Sequence, residues 1–232
     1  KQSLTIINYY KSFGVETHVQ NSPRIRFKND INYQSNKTFK KQLIQLRKET
    51  IDQNIELKKT ANNFVFQDGV LNAEIMIIGE APGYEEDKIG KPFVGAAGKK
   101  LDQMINSIGL DRKKNVYITN IIPWRPPNNR TPSNEEIGIF LPYVKKHIAL
   151  INPKILLLFG NVASKSILNL NEGITKNHGK WFNYNNEFLN NKILTMCIFH
   201  PSYLLRSPNK KLVAWEDLKK VKEKIANLKI NI

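Results

Sequence analysis

The sequence predicts an α/β protein built on a parallel sheet with helices against both faces. Two observations carry that expectation. Short apolar runs rich in β-branched residues recur from residue 64 onward: "EIMIIG", "NVYITNI", "KILLLFG" and "KILTMCIF". They lack polar alternation, as strands buried on both faces do. Between them lie the helical stretches "GKKLDQMINSIG", "SNEEIGIFLPYVKKHIALI" and "NVASKSILNL", and "KKLVAWEDLKKVKEKIANL" closes the chain. Strands alternating with helices specify parallel pairing through helical crossovers.

Taken in order, "LTIINYYKSFG" predicts a short helix ending near Gly14, and "PRIRFKNDINYQSN" a loop. "KTFKKQLIQLRKETIDQNIELKKTA" predicts an amphipathic helix packed on the main domain, with Phe39, Leu43, Leu46 and Ile51 near helical spacing. Ser133, with Glu136 three residues later, predicts a capping box at the start of a helix. No repeat or low-complexity linker interrupts the chain. The expected organisation is a helical extension over residues 1–52 packed on a main domain over residues 53–232.

Composition narrows the partners. The chain has 232 residues, 41% of them hydrophobic, enough for a sizeable core. Its 36 Lys and Arg against 20 Asp and Glu give a net charge of +16. That charge favours a polyanion, DNA or RNA, over a membrane surface, since no basic amphipathic helix dominates. No apolar run approaches the ~20 residues of a membrane span. The start, "KQSLTIINYYKSFG", has no long apolar region or cleavage site, so a soluble, cytoplasmic protein is expected. Cys197 is the one cysteine. It excludes an internal disulfide and reads as a small core residue.

The chemistry gathers after the strands. Parallel strands with right-handed crossovers put their following loops along one edge, where α/β sheets bind ligands. Glu80 follows the first run, Asn120 ends the second and His200 follows the last. Phe93 stands close by in "GKPFVGAAG". Each has an ordinary reading alone: a cap, a loop amide, a core ring or a turn residue. Together they suit a flat base. An amide can match the O4 and N3–H edge of uracil, and a phenyl face can stack on the ring for ~1–3 kcal/mol. An imidazole can donate to a carbonyl that gains charge, and a carboxylate can orient or deprotonate a water. A rival nucleotide-binding loop at "GEAPG" lacks both GxGxxG and a following Lys-Ser/Thr pair.

These motifs, "GEAPGYEED", "GKPFVGAAG", "VYITNIIPWRPPNNRTP" and "HPSYLLRSP", resemble in order and spacing those of the family 4 uracil-DNA glycosylases. The likeness covers about residues 55–218, with "KTANNFVFQDG" upstream and "KLVAWEDL" downstream. The first fifty residues resemble the extension on some bacterial, especially alphaproteobacterial, members. The resemblance implies a three-layer α/β/α sandwich with a central four-stranded parallel sheet. It implies a monofunctional enzyme that flips deoxyuridine out of DNA and hydrolyses its N-glycosidic bond, initiating base excision repair.

By position, Glu80 corresponds to the carboxylate acting on the attacking water and His200 to the group on the uracil O2. Phe93 corresponds to the stacking ring and Asn120 to the reading amide, with backbone at Gly79 and Ala81 completing the pocket. DNA contacts are expected from Gly83, Pro92, Arg125, Arg130, Ser202, Leu204, Leu205 and Arg206, with Leu204 or Leu205 as an apolar wedge. The expected partner is uracil-containing DNA, with no membrane partner and the protein expected as a monomer.

The family holds a [4Fe-4S] cluster through four cysteines. The corresponding positions here are Ile55, Lys58, Trp124 and Phe140, so no cluster and no metal are expected. Two alternatives remain open at this point: a weak or inactive DNA-binding relative, and a glycosylase for another base.

Overall fold

The computed structural model describes residues 26–232, with side chains described from residue 37. The helix expected to end near Gly14 lies outside the described residues. Contacts divide the chain into residues 1–40 and residues 41–232. Helix α1 (Arg26–Ile51) crosses that division, so the stretch expected as a loop is helical from Arg26. Within residues 26–36 Phe27 and Ile31 alone stand a helical turn apart among polar residues, too short a stripe to mark a helix in the sequence. Beyond residue 40, Leu43 and Leu46 are buried. A second short helix, α2 (Leu57–Thr60), precedes the sheet.

The sheet contains β1 (Asp68–Gly69), β2 (Ile75–Gly79), β3 (Val116–Asn120), β4 (Ile155–Phe159), β5 (Trp181–Tyr184) and β6 (Ile193–Ile198). Its order is β1-β3-β2-β4-β6-β5. The four central strands pair in parallel, and β1 and β5 are antiparallel at the edges. The central strands are those the apolar runs predicted. The edges were missed because β1 is only two residues long and β5 is only partly buried.

Helices α3 (Tyr84–Ile89), α4 (Ala96–Asn106), α5 (Asn134–Ile151), α6 (Asn161–Leu168), α7 (Ile174–Asn177), α8 (Pro201–Arg206) and α9 (Lys211–Asn227) complete the fold. Side chains alternate across the sheet. Ile75, Ile77, Ile118 and Leu157 join Leu101 and Ile105 of α4 and Leu218 and Val221 of α9 in one core. The opposite face carries Tyr117, which meets His147 of α5. Helix α5 opens with the expected capping box. Ser133 Oγ accepts from the Glu136 amide at 3.2 Å, and Glu136 Oε2 accepts from the Ser133 amide at 2.7 Å. The helix stops at Asn152, whose left-handed φ of 48° turns the chain ahead of Pro153.

An aromatic column stands beside the sheet on the α5 side. The Arg47 guanidinium lies 5.2 Å from the Phe64 ring centre. Phe64 meets Trp124 at 5.1 Å and Phe66 at 5.6 Å, and Phe66 stacks on His147 at 4.6 Å. The column ends in a 2.6 Å hydrogen bond between His147 Nε2 and the Tyr117 hydroxyl. Burial holds the His147 pKa down to about 3 and pushes the Tyr117 hydroxyl up, so both are neutral.

An imidazole whose folded pKa lies below its unfolded value near 6.5 makes the unfolded chain the better proton binder between the two. Stability from this group is complete above pH ~6.5 and falls as the pH drops toward 3. Between pH 7 and 5 its share of the loss is about 2 kcal/mol. His147→Gln should lose less stability than wild type over that interval in urea unfolding; equal losses would contradict the assignment.

Candidate active site

The in-register pairing of β2 with β3 sets Gly79 directly opposite Asn120 at the carboxyl ends of both strands. The ladder runs on past them, with Ile121 N–H donating to Gly79 O and Ile122 N–H to Glu80 O, both at 3.0 Å. Glu80 therefore leaves the strand at the sheet edge. Beyond β6, His200 does the same. A cavity of about 520 Å³ opens there, walled by Glu80, Ala81, Phe93, Asn120, His200 and Tyr203 among others. The three strand ends and the "PFVG" loop meet in one place.

Gly79 makes the meeting possible. A methyl group on its Cα would overlap the edge of the Phe93 ring and come 2.5 Å from Asn120 Oδ1. Gly79 is not itself on the cavity wall, so the expected backbone contact with a base gives way to a steric role.

Phe93 is 5% exposed. Its φ of 54° is left-handed, a conformation that costs a bulky residue on the order of 1–3 kcal/mol and persists only when its surroundings enforce it. Arg112 enforces it. Its Nη2 donates to Phe93 O at 2.6 Å and its Nη1 to Pro92 O at 3.2 Å. The guanidinium is held in turn by Asp102 at 2.8 Å and Asp68 at 3.2 Å. Gly98 of α4 leaves room for the Phe93 carbonyl, which a side chain there would overlap.

Glu86 ties this loop to the "GEAPG" turn. Its Oε1 accepts from Val94 and Gly95 N–H at 2.8 Å, and its Oε2 from Gly83 N–H at 3.2 Å. Buried Asp87 accepts from Asn62 and Asn63 N–H at 2.8 and 2.9 Å, fixing α3 to the segment before β1.

The site carries two titratable groups with opposite displacements. Burial raises the Glu80 carboxyl above the ordinary carboxylate range. Burial, reinforced by Arg206 and opposed by Glu86, lowers His200 to about 4. The imidazole is neutral at pH 7. The Ser202 backbone N–H donates to His200 Nδ1 at 3.2 Å, with Ser202 Oγ at 2.7 Å from the same nitrogen. A backbone amide can only donate, so Nδ1 is an acceptor and the ring proton sits on Nε2. Asn120 is buried, and its Oδ1 finds no hydrogen-bond partner among the described residues. Buried polar atoms are seldom left so.

The model of the uracil DNA glycosylase superfamily matches residues 66–219. The type-4 uracil-DNA glycosylase of Sulfurisphaera tokodaii is 43% identical over 166 residues, covering 69% of this chain and 74% of its own. That of Archaeoglobus fulgidus is 41% identical, covering 72% of this chain and 85% of its own. That of Thermotoga maritima is 38% identical, covering 69% and 82%. The chain belongs to the type-4 uracil-DNA glycosylase family.

Several expected DNA contacts are placed differently by the structure. Leu204 is 1% exposed and packs in the core, so it cannot act as a wedge, whereas Leu205 is 46% exposed on α8. Pro92 is buried and lends its carbonyl to Arg112, so it offers a DNA strand no surface. Arg125 is not on the cavity wall; it lies 5.2 Å over the Tyr84 ring and donates to Asn129 Oδ1 at 2.7 Å. Arg130, Gly83, Ser202 and Arg206 do line the cavity. Arg130 also grips Glu136 through both carboxylate oxygens, at 2.7 and 2.8 Å.

The four residues that the resemblance matches to cluster ligands, Ile55, Lys58, Trp124 and Phe140, do not have the chemistry to hold an iron–sulfur group. Lys58 Nζ lies 5.9 Å from the Trp124 ring centre, and Phe140 is fully buried. No thiolate is among them. Among the described residues, no group of three or more His, Cys, Asp or Glu could hold a metal ion.

Sequence reasoning missed Arg112 and Glu86. A basic residue in "LDRKKN" and an acidic one in "YEED" read as solvated charge, and only the fold brings them to backbone atoms. Arg112→Ala should destabilise the protein by about 1–3 kcal/mol and lower kcat by releasing Phe93. Arg112→Lys, with charge but no fork, should recover only part of each. Urea unfolding and single-turnover kinetics check this; wild-type behaviour from Arg112→Ala would remove the clamp.

Proposed function

We propose that the chain is a monofunctional uracil-DNA glycosylase that hydrolyses the bond between uracil and deoxyribose in DNA, the first step of base excision repair. Family membership supports the activity. The observation that carries the site reading is Asn120, with its buried, unpartnered Oδ1 beside the Phe93 ring.

A flipped uracil has an N3–H donor and an O4 acceptor in one plane. Asn120 Oδ1 accepts the first and Nδ2 donates to the second. Cytosine reverses both groups, setting acceptor against acceptor and donor against donor, and so leaves buried atoms unpaired. Phe93 stacks on the ring. The bond from C1′ to N1 then breaks, and its electron pair leaves with the base. His200 Nε2–H donates to O2 as charge gathers there, without a prior ion pair. Water held by Glu80 adds to C1′, and its proton passes by way of the carboxylate to the departing uracil anion, leaving free uracil and an abasic sugar.

Leu205 is the wedge that fills the vacated stack, and Gly83, Arg130, Ser202 and Arg206, which line the cavity, are the DNA contacts. We read the chain as a cytoplasmic monomer, with residues 1–52 an extension of the alphaproteobacterial kind on a glycosylase domain of residues 53–232.

His200→Ala and Asn120→Ala should each lower single-turnover uracil release from an oligonucleotide by ~10²–10³. Near-wild-type rates from both would defeat the site assignment. Binding of uracil-containing DNA without release by the wild type would favour a non-catalytic relative.

We also propose that the enzyme works without an iron–sulfur cluster, the aromatic column and the Lys58–Trp124 contact bracing the segment that a cluster braces elsewhere. Purified protein should carry no stoichiometric iron or acid-labile sulfide, and its activity should survive a chelator. Four irons per chain would overturn this.

A further inference from the structure

Helices α4 and α8, which contribute to the cavity wall, form a second concavity together with α9. On the outer turns of α4 and the first turns of α9 lies a groove of about 180 Å³, walled by Lys100, Gln103, Lys211 and Trp215 and floored by Leu204. Trp215 is 38% exposed and Leu212, one helical turn before it, is 70% exposed. Exposed Leu205 precedes them on α8. A single exposed apolar residue needs no explanation. Here three share one short stretch, and exposed Arg206 and Lys211 lie within the same stretch.

We infer that this groove is a second nucleic-acid contact, which holds single-stranded DNA flanking the flipped nucleotide, with Trp215 as a stacking platform and Lys100 and Lys211 at the phosphates. The inference rests on reading the main cavity as a DNA site.

Continuity with that site is the first support. Tyr203 and Arg206 of α8 line the cavity, while Leu204 between them floors the groove. Ala97 of α4 is on the cavity wall and Lys100 on the groove wall, ~4.5 Å further along the helix axis at 1.5 Å per residue. A strand that delivers a base to the cavity and crosses α8 arrives at the groove.

Chemistry is the second support. Lysines beside a half-exposed indole are the pairing with which proteins hold unpaired strands, charge for the backbone and a π-face for the base. Stacking on an indole ignores base identity, which suits an enzyme that must meet uracil in any sequence. It needs an unpaired base, so the groove favours single strands over duplex.

Trp215→Ala and Trp215→Phe, titrated with an oligothymidylate long enough to span both sites, test this. The alanine variant should bind about tenfold more weakly, and the phenylalanine variant should recover most of the loss while matching the alanine variant's melting temperature within error. The ratio of kcat/KM on a long uracil-containing strand to that on a uracil-centred trinucleotide, too short to reach the groove, should fall by a similar factor in Trp215→Ala. Unchanged binding of the long strand would overturn the proposal. So would a wild-type dimer that Trp215→Ala converts to monomer, since a second copy would then be the occupant. If wild type released no uracil from either substrate, the cavity's reading would fall, and the oligothymidylate titration would still judge the groove separately.

Discussion

Gly79 and Asn120 face each other across a parallel ladder, and that pairing governs the geometry of the whole site. The ladder fixes where the amide stands. The bare Cα of Gly79 leaves the volume into which the Phe93 ring and the amide both move. A side chain of any size there would push one of them away. The loop that carries Phe93 then has to reach back over the strand, which it does only with left-handed backbone at a phenylalanine. The guanidinium of Arg112, itself anchored by two carboxylates, holds that backbone. A missing methyl group in one strand is thus matched by a partly buried cation, Arg112, nineteen residues beyond Phe93.

Burial acts on the two titratable groups in opposite senses, and both shifts suit the roles proposed for them. Desolvation disfavours charge whatever its sign. It raises the carboxyl of Glu80, which makes it a stronger base than a solvated carboxylate. It lowers the imidazole of His200, which keeps it neutral and its donor free of competing ion pairs. Ser202 completes the arrangement by occupying Nδ1. A donor fixed before the reaction begins has nothing to reorganise when charge appears on the base.

Much of this was legible in the sequence. The four central strands showed as apolar runs because they are buried on both faces, and the Ser133–Glu136 box announced its helix because capping is a local interaction. Glu80, Asn120, Phe93 and His200 could be placed together because parallel topology puts strand ends on one edge. The edge strands were hidden by brevity and partial exposure. Arg112 and Glu86 were hidden for another reason: their partners are backbone atoms of loops up to twenty residues away, and a charged residue carries no sequence mark of such contacts. Leu204 and Leu205 are adjacent and chemically alike. Only helix phase decides that one faces the core and the other water.

His200 occupies a joint. Its Nδ1 caps the first turn of α8, and its other nitrogen is the one left for the cavity. Helix α8 is six residues long and carries exposed Leu205 near its far end. Cap and donor are one ring, so any tilt of that helix is transmitted to the imidazole with no intermediate linkage. The fold gears the two motions together at a single pivot, and loosening the pivot would detune both.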